Sequence, residues 1–136
     1  AQARVIAGGA QDPAVVAHRL ARWVAGTVRD QAAGGAPSAV GVLARRRGDC
    51  NEHTVLFVAL ARALGLPARP VAGLFSVGGR FYYHAWAEVY LDDWVAVDPM
   101  FDQFPADAAH LRLTIGGLAQ RLDLTRRLGR LTLEAL

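Results

Sequence analysis

The sequence has 136 residues, of which 53% are hydrophobic and 20% charged, a composition that predicts a globular domain and excludes a disordered chain. No apolar stretch is long enough to cross a membrane, and the single cysteine excludes an internal disulfide. The net charge is +3 and every basic residue is arginine, but only Arg45–Arg47 and Arg126–Arg127 cluster, without aromatic neighbours. The charge therefore does not favour nucleic acid as a partner.

Two helices are predicted in the first third of the chain. Asp12 is suited to cap the first helix and Pro13 to occupy its first turn. Ser38 can cap the second helix, which is predicted to end near Arg46. The residues predicted to face the core are Val16, Leu20, Trp23, Val24 and Thr27 of the first helix, and Val40 and Leu43 of the second.

A third helix is predicted to form the centre of the domain. Asp49 and Glu52 have the spacing of a capping box. The following run, Thr54 to Leu64, carries one charge and is apolar nearly all round, which is typical of a helix buried on most sides. Gly65 ends the helix, because glycine followed by proline two residues later is a common stop signal.

After this helix the apolar pattern changes to the alternation that is typical of strands. Arg69–Val77 and Arg80–Tyr90 are predicted strands joined by a two-residue turn, and Trp94–Asp98 is predicted as a third strand. Weaker patterns predict a strand through Leu111, Leu113 and Ile115, a helix over Leu118–Leu128, and a last strand through Leu131, Leu133 and Ala135. The whole is predicted to be one α+β domain over residues 1–136, helical at about 12–65, with an antiparallel sheet at about 68–136 packed on the central helix.

Cys50 is predicted to lie in the first turn of the central helix. The backbone N–H groups there have no partners within the helix, and the helix dipole favours the thiolate, so the pKa of the thiol is expected to fall. The negative charge of Asp49 next to it opposes this lowering of the pKa, because it disfavours the thiolate. The N–H of Cys50 is a natural donor to an oxyanion, and the second donor is left open among Trp23, Asn51 and Tyr83.

His84 lies in the middle of an apolar strand and needs a polar partner. The register that pairs the odd, apolar positions of the second and third strands brings Asp98 to the face of His84. The pairs in this register are Val89 with Val95 and Ala87 with Val97. Asp98 is therefore predicted to orient the imidazole, and Asp98→Asn to lower activity strongly with little change in stability.

The other three histidines are predicted to have structural roles. His18 is expected on the surface, and His110 on the surface or in packing. His53 lies three residues after Cys50 and could contact it, although its position fits packing or helix capping equally well. A metal site formed by Cys50, His53, His84 and His110 is an alternative, but no carboxylate that would support such ligands is apparent.

These residues predict thiol-dependent acyl transfer or hydrolysis of an amide. Cys50 would attack the carbonyl carbon, and His84 would accept the thiol proton and pass it to the leaving group. Water or an amine would then release the acyl group from the thioester. A domain that has lost its activity and binds peptides in the same cleft is the alternative from another functional class.

The segments RRRGDCNEHTVLFVALARALGLPARPVAGL and YYHAWAEVYLDDWVAVDPMF resemble the bacterial transglutaminase-like superfamily. They contain its GDC-type cysteine, its HAW-type histidine strand and its W-x-x-V-D-P aspartate strand, in that order, over about Arg45 to His110. The resemblance implies a papain-like α+β fold and catalytic roles for Cys50, His84 and Asp98.

The resemblance also implies further properties. Similar sequences often form the last part of a longer, exported protein, so a longer polypeptide and an extracytoplasmic location are expected. The substrates would be peptides or proteins. No acidic calcium loop occurs, so neither a metal nor a cofactor is expected. Met100 departs from the threonine that commonly follows Asp-Pro in these sequences, which affects a local contact but leaves the three catalytic residues intact.

Overall fold

The computed structural model describes residues 1–134, and these form helices on one side of an antiparallel sheet. The α+β class predicted from the sequence is confirmed. The helices are α1 (Gln2–Ala7), α2 (Pro13–Thr27), α3 (Ala39–Arg45), α4 (Cys50–Ala63) and α5 (Leu118–Leu128). The strands are β1 (Arg29–Asp30), β2 (Arg47–Gly48), β3 (Ala68–Val77), β4 (Arg80–Tyr90), β5 (Trp94–Val97) and β6 (His110–Ile115). None of the helices in residues 1–134 is long and apolar enough to cross a membrane.

Helix α4 starts with the predicted capping box. The Asp49 carboxylate accepts hydrogen bonds from backbone N–H groups of the first turn, and the Glu52 carboxylate accepts one from the Asp49 N–H at 2.9 Å. Gly48 makes this arrangement possible, since a Cβ atom there would lie 2.2 Å from the Cβ of Glu52. The start of α4 is thus held in one place before any tertiary contact is considered.

The four-stranded sheet has the order β5-β4-β3-β6, with all its neighbours antiparallel. Gly78 and Gly79 form the turn between β3 and β4, both with positive φ. The predicted register of β4 and β5 is confirmed, since Ala87 pairs with Val97 and Val89 with Val95. Pairing between β3 and β6 shifts at Gly73, where a Cβ atom would lie 1.9 Å from the carbonyl oxygen of Leu111.

The main core lies between the helices and one face of the sheet. Its members include Leu20 and Val24 of α2 and Phe57 and Leu60 of α4. A second, smaller cluster at the other end of the sheet consists of Ala72, Ala85 and Leu124, with Cys50, Tyr83 and Leu128 packed against it. Helix α5 therefore packs beside the start of α4, because Leu124 and Leu128 both belong to α5.

Several local predictions were wrong. Val40 was expected in the core but is 80% exposed, whereas Val42 is fully buried; two residues along a helix turn the side chain by roughly 200°, to the opposite face. Helix α1 and the short parallel pair of β1 and β2 were not predicted. No strand forms within residues 131–134, and Ala135, the end of the predicted last strand, lies outside the described residues.

Candidate active site

Cys50 is the first residue of α4, as predicted, and its side chain is partly buried. Its backbone N–H is the first of the helix and has no acceptor within the helix. The side chain packs against the small cluster that contains Ala85 of β4. Cys50 therefore lies next to the residue that follows His84 in the chain.

The hydrogen-bonding pattern of β4 explains why a backbone N–H of this strand lies near the Cys50 thiol. The N–H of Tyr90 points toward the β3 side, where it donates to Pro67 O at 3.0 Å. Because N–H directions alternate along a strand, the N–H of Ala85 points toward the β5 side. Strand β5 ends at Val97, opposite Ala87, so β5 does not pair with β4 at Ala85. The Ala85 N–H is close enough to Cys50 to favour its thiolate.

His84 and Asp98 meet on one face of the sheet. Nε2 of His84 lies 2.7 Å from Oδ2 of Asp98, and both side chains are buried. The His84 ring stacks on Phe101, with 4.8 Å between the ring centroids. Since Nε2 is used by Asp98, Nδ1 is the ring nitrogen left to act on a substrate or on the thiol.

Asp98 is completely buried and saturated with donors. Its Oδ2 also lies 2.7 Å from Nε2 of His110, and its Oδ1 accepts from the N–H groups of Met100 and Phe101 at 2.9 and 3.1 Å. Although burial alone would raise the pKa of Asp98, the hydrogen bonds from His110 and His84 hold it well below its usual range. Asp98 is therefore a carboxylate at every pH at which the domain would work.

His110 was predicted to be a surface or packing residue, and its contact with Asp98 was not predicted. Its side chain is only 2% exposed and bonds to Asp98 as closely as His84 does. Pairing of β6 with β3 places His110 opposite Phe75, on the same face of the sheet as His84. The sequence contained no signal for this contact, because β6 is joined to β5 by an irregular segment of the chain.

The electrostatic prediction for Cys50 was wrong. The pKa of the Cys50 thiol is raised to about 11: burial is the largest cause, the charges of Asp49 and Asp98 act in the same direction, and the Ala85 N–H and the Arg121 guanidinium act in the opposite direction. The sequence pattern placed Cys50 at the helix start but did not reveal how much of it α5 and β4 would cover. The position at the helix start is therefore not accompanied by a lowered pKa of the Cys50 thiol.

Asn51, Tyr83 and Trp23, the candidates for a second oxyanion donor, have different surroundings. Oδ1 of Asn51 accepts from the Tyr83 hydroxyl at 3.0 Å and from the Arg121 guanidinium, which leaves the amide NH₂ of Asn51 as its free end. Tyr83 is occupied as a donor, and burial raises its pKa to about 12, so it stays protonated. Trp23 packs against the main core. Asn51 is the one of the three with an available donor beside Cys50.

Arg121 was not predicted as a site residue. It is buried on α5, and its Nε has no hydrogen-bond partner within residues 1–134. We expect Arg121→Met to raise the pKa of Cys50 further and to slow its alkylation by iodoacetamide at pH 8 by about threefold to tenfold. Arg126→Met, which removes an exposed charge from the same helix, is the control and should alkylate like the parent. Equal rates for all three proteins would contradict this role.

The metal site considered from the sequence does not assemble. His53 is buried, with Nδ1 2.7 Å from Asp49 O and Nε2 3.0 Å from Val28 O, so both of its ring nitrogens are occupied by backbone groups. The donor atoms that do come together are those of His84, Asp98 and His110, all within 4.8 Å of one another. Hydrogen bonds from the two imidazoles to the carboxylate account for this arrangement.

A partly buried cysteine at a helix start, next to a strand whose histidine is bonded to a buried aspartate, defines a cysteine-enzyme fold. The family model described as Transglutaminase-like superfamily matches residues 1–99, which is more than half of the chain. The chain therefore belongs to the transglutaminase-like superfamily, and the resemblance seen in the sequence is confirmed.

Solved structures share this fold. A protein from Cytophaga hutchinsonii designated a "putative cysteine protease" aligns with a TM-score of 0.74 and 22% identity, over 85% of this chain and 40% of its own. The periplasmic domain of TgpA from Pseudomonas aeruginosa aligns with a TM-score of 0.61 and 24% identity, over 74% of this chain and 41% of its own. A structure described as a TGase aligns with a TM-score of 0.59 and 20% identity, over 72% of this chain and 29% of its own.

The chain spans less than half the length of each of these three structures. At these identities the likeness establishes the fold and nothing about the substrate. None of the curated proteins matches the sequence significantly.

Proposed function

We propose that this domain catalyses acyl transfer or hydrolysis on amide substrates through a thioester on Cys50, with His84 as the base and Asp98 orienting it. The observation that carries the proposal is the 2.7 Å contact between His84 Nε2 and Asp98 Oδ2, on a strand whose next residue, Ala85, belongs to the cluster that Cys50 packs against. Fold alone would not support an activity, because one fold hosts many functions.

The proposed reaction follows from the free atoms of the site. With Nε2–H bonded to Asp98, Nδ1 of His84 removes the proton of the Cys50 thiol as sulfur attacks the amide carbonyl carbon. The proposed reaction includes this proton transfer because the pKa of the thiol is raised to about 11, mainly by burial. The C–N bond then breaks, the amine leaves with the proton from His84, and water or a second amine attacks the thioester.

The oxyanion formed during attack needs donors at the helix start. The backbone N–H of Cys50 is one, and we propose the free amide NH₂ of Asn51 as the second. Its carbonyl oxygen is held by Tyr83 and Arg121, which fixes the direction of the NH₂ group. This assigns Tyr83 a positioning role and gives Trp23 a structural one.

We propose peptides or proteins as substrates, at glutamine-type or main-chain amides, and an extracytoplasmic location. The proteolytic designation of the Cytophaga protein and the periplasmic origin of the TgpA domain support these choices. The proposed triad fits either a transferase or a hydrolase, because both share the thioester and differ in the acceptor. A domain that only binds peptides remains the alternative, favoured by the raised pKa of Cys50.

Mass spectrometry of Cys50 after incubation with peptide-amide libraries tests the proposal. We expect a mass increase on Cys50 that corresponds to an acyl group, or hydrolysed and transferred products that accumulate with time. Cys50→Ala is the matched control and should give neither. Libraries that bind without modifying Cys50 or releasing product would support the binding domain and contradict the enzyme.

A further inference from the structure

Asp98 has a second imidazole partner that the proposed triad does not use. Both His84 and His110 place Nε2 2.7 Å from the same oxygen, Oδ2 of Asp98. His110 lies beyond the residues that the family model matches, which end at 99. Its side chain is almost fully buried and is flanked by the rings of Phe75 and Trp86, each with a centroid distance of 5.0 Å.

Both ring nitrogens of His110 face acceptors. Nε2 faces Asp98, and Nδ1 lies 3.0 Å from Oδ1 and 3.1 Å from the backbone oxygen of Asp107. A neutral imidazole has only one N–H, so both contacts are hydrogen bonds only if the ring carries two protons. The Asp107 carboxylate is itself positioned, since it accepts from the Ala109 N–H at 3.0 Å and the Gln103 amide at 3.0 Å. A doubly protonated His110 would satisfy the acceptors on both sides of the ring.

We propose that His110 is a positioning residue that holds the Asp98 carboxylate against His84 and, as a cation, limits the basicity of His84. The proposal rests on the proposed function, in which His84 is the base. Two donors on one oxygen share its charge, so the positive charge of His110 offsets part of the stabilisation that Asp98 gives to a protonated His84. A base works best when its pKa is near the working pH.

The other charges near this group agree with that role. Burial alone would lower the pKa of His110, but its hydrogen bonds to Asp98 and Asp107 raise it. Further along the same sheet face, the Glu88 carboxylate is paired with Arg69 at 2.7 Å and with Arg112 at 2.6 Å. Within residues 1–134, the titratable groups that face His110 are Asp98, Asp107 and His84.

Two variants separate the charge of His110 from its hydrogen bond. His110→Gln keeps a donor for Asp98 and removes the charge, whereas His110→Phe keeps an aromatic ring and removes both. His18→Gln, at an exposed position, is the control. The measurements are the ¹⁵N NMR titration of the imidazole rings and the pH dependence of kcat/KM, with a chelator present to remove adventitious metal ions.

In the parent we expect both ring nitrogens of His110 to be protonated at pH 7. In His110→Gln the titration midpoint of His84 and the acidic limb of kcat/KM should move up by about one pH unit. His110→Phe should lose at least about tenfold in kcat/KM at its optimum, because Asp98 is then short of a donor, and His110→Gln should recover most of that loss. His18→Gln should match the parent.

A single proton on the His110 ring at pH 7, or an unchanged His84 midpoint in His110→Gln, would overturn the proposal. The NMR measurement needs no substrate, so its result is independent of the proposed function. A shifted His84 midpoint in a protein that turns over no amide would support the coupling and contradict the enzyme. An unshifted His84 midpoint in a protein that does turn over amides would contradict the coupling and support the enzyme.

Discussion

Asp98→Asn is expected to lower the rate of amide turnover by about 10³-fold to 10⁴-fold. The substitution replaces one carboxylate oxygen by an NH₂ group, and the oxygen that matters here, Oδ2, accepts from both His84 and His110. An NH₂ group in that place faces two donors, so the His84 ring loses both its orientation and the charge that stabilises its protonated form. Single-turnover kinetics on any amide that the parent cleaves would measure the loss.

The same substitution should also reduce stability, contrary to the small change expected from the sequence. Asp98 is completely buried with four donors, and removing one partner of such a network costs about 3 kcal/mol. The pKa of Asp98 is lowered in the folded state, so its contribution is present above the unfolded value of about 3.9 and is lost as the pH falls below it. The parent should therefore lose more stability than the variant on acidification.

Asp102→Asn is the matched control for both effects. It lies in the same loop, is exposed, and has a positive φ of 53° that asparagine tolerates well. We expect parental activity and stability from this variant, by the same kinetics and by thermal unfolding. An Asp98→Asn protein that is as active as the parent would contradict the role of Asp98 and leave His84 to be oriented by another group.

Gly73→Ala is expected to destabilise the domain by about 3 kcal/mol or more, measured by denaturant unfolding. A Cβ at this position would lie 1.9 Å from the carbonyl oxygen of Leu111, a backbone atom that cannot rotate away. Strand β6 would have to move away from β3, and it carries His110 away from Asp98 as it moves. Activity should fall with stability, because the same displacement disturbs the donor set of the carboxylate.

Gly26→Ala provides the control for the loss of a glycine as such. Gly26 lies within α2, and a Cβ there meets nothing within 4 Å. Alanine favours the helix over glycine by about 1 kcal/mol, so this variant should be at least as stable as the parent. If Gly73→Ala unfolded at the parental denaturant concentration, the close packing of β3 on β6 would be wrong.

Much of the fold could be predicted because it depends on neighbours in the sequence. The capping box needs only Asp49 and Glu52, three residues apart, and the turn at Gly78 and Gly79 needs only the positive φ that glycine allows. The register of β4 with β5 followed from the alternation of apolar residues across a short loop. These local rules were enough to place Cys50 at a helix start and to bring Asp98 to the side of His84.

Contacts between distant segments were decided only by the tertiary structure. Arg121 reaches Asn51 across 70 positions of the chain, and His110 joins Asp98 because β6 pairs with β3 rather than with its neighbour in sequence. The pKa of Cys50 is raised mainly by burial, and α5 and β4 contribute residues to the cluster that covers Cys50. A sequence pattern encodes the polarity and spacing of side chains; the desolvation of a group depends on which remote surfaces cover it.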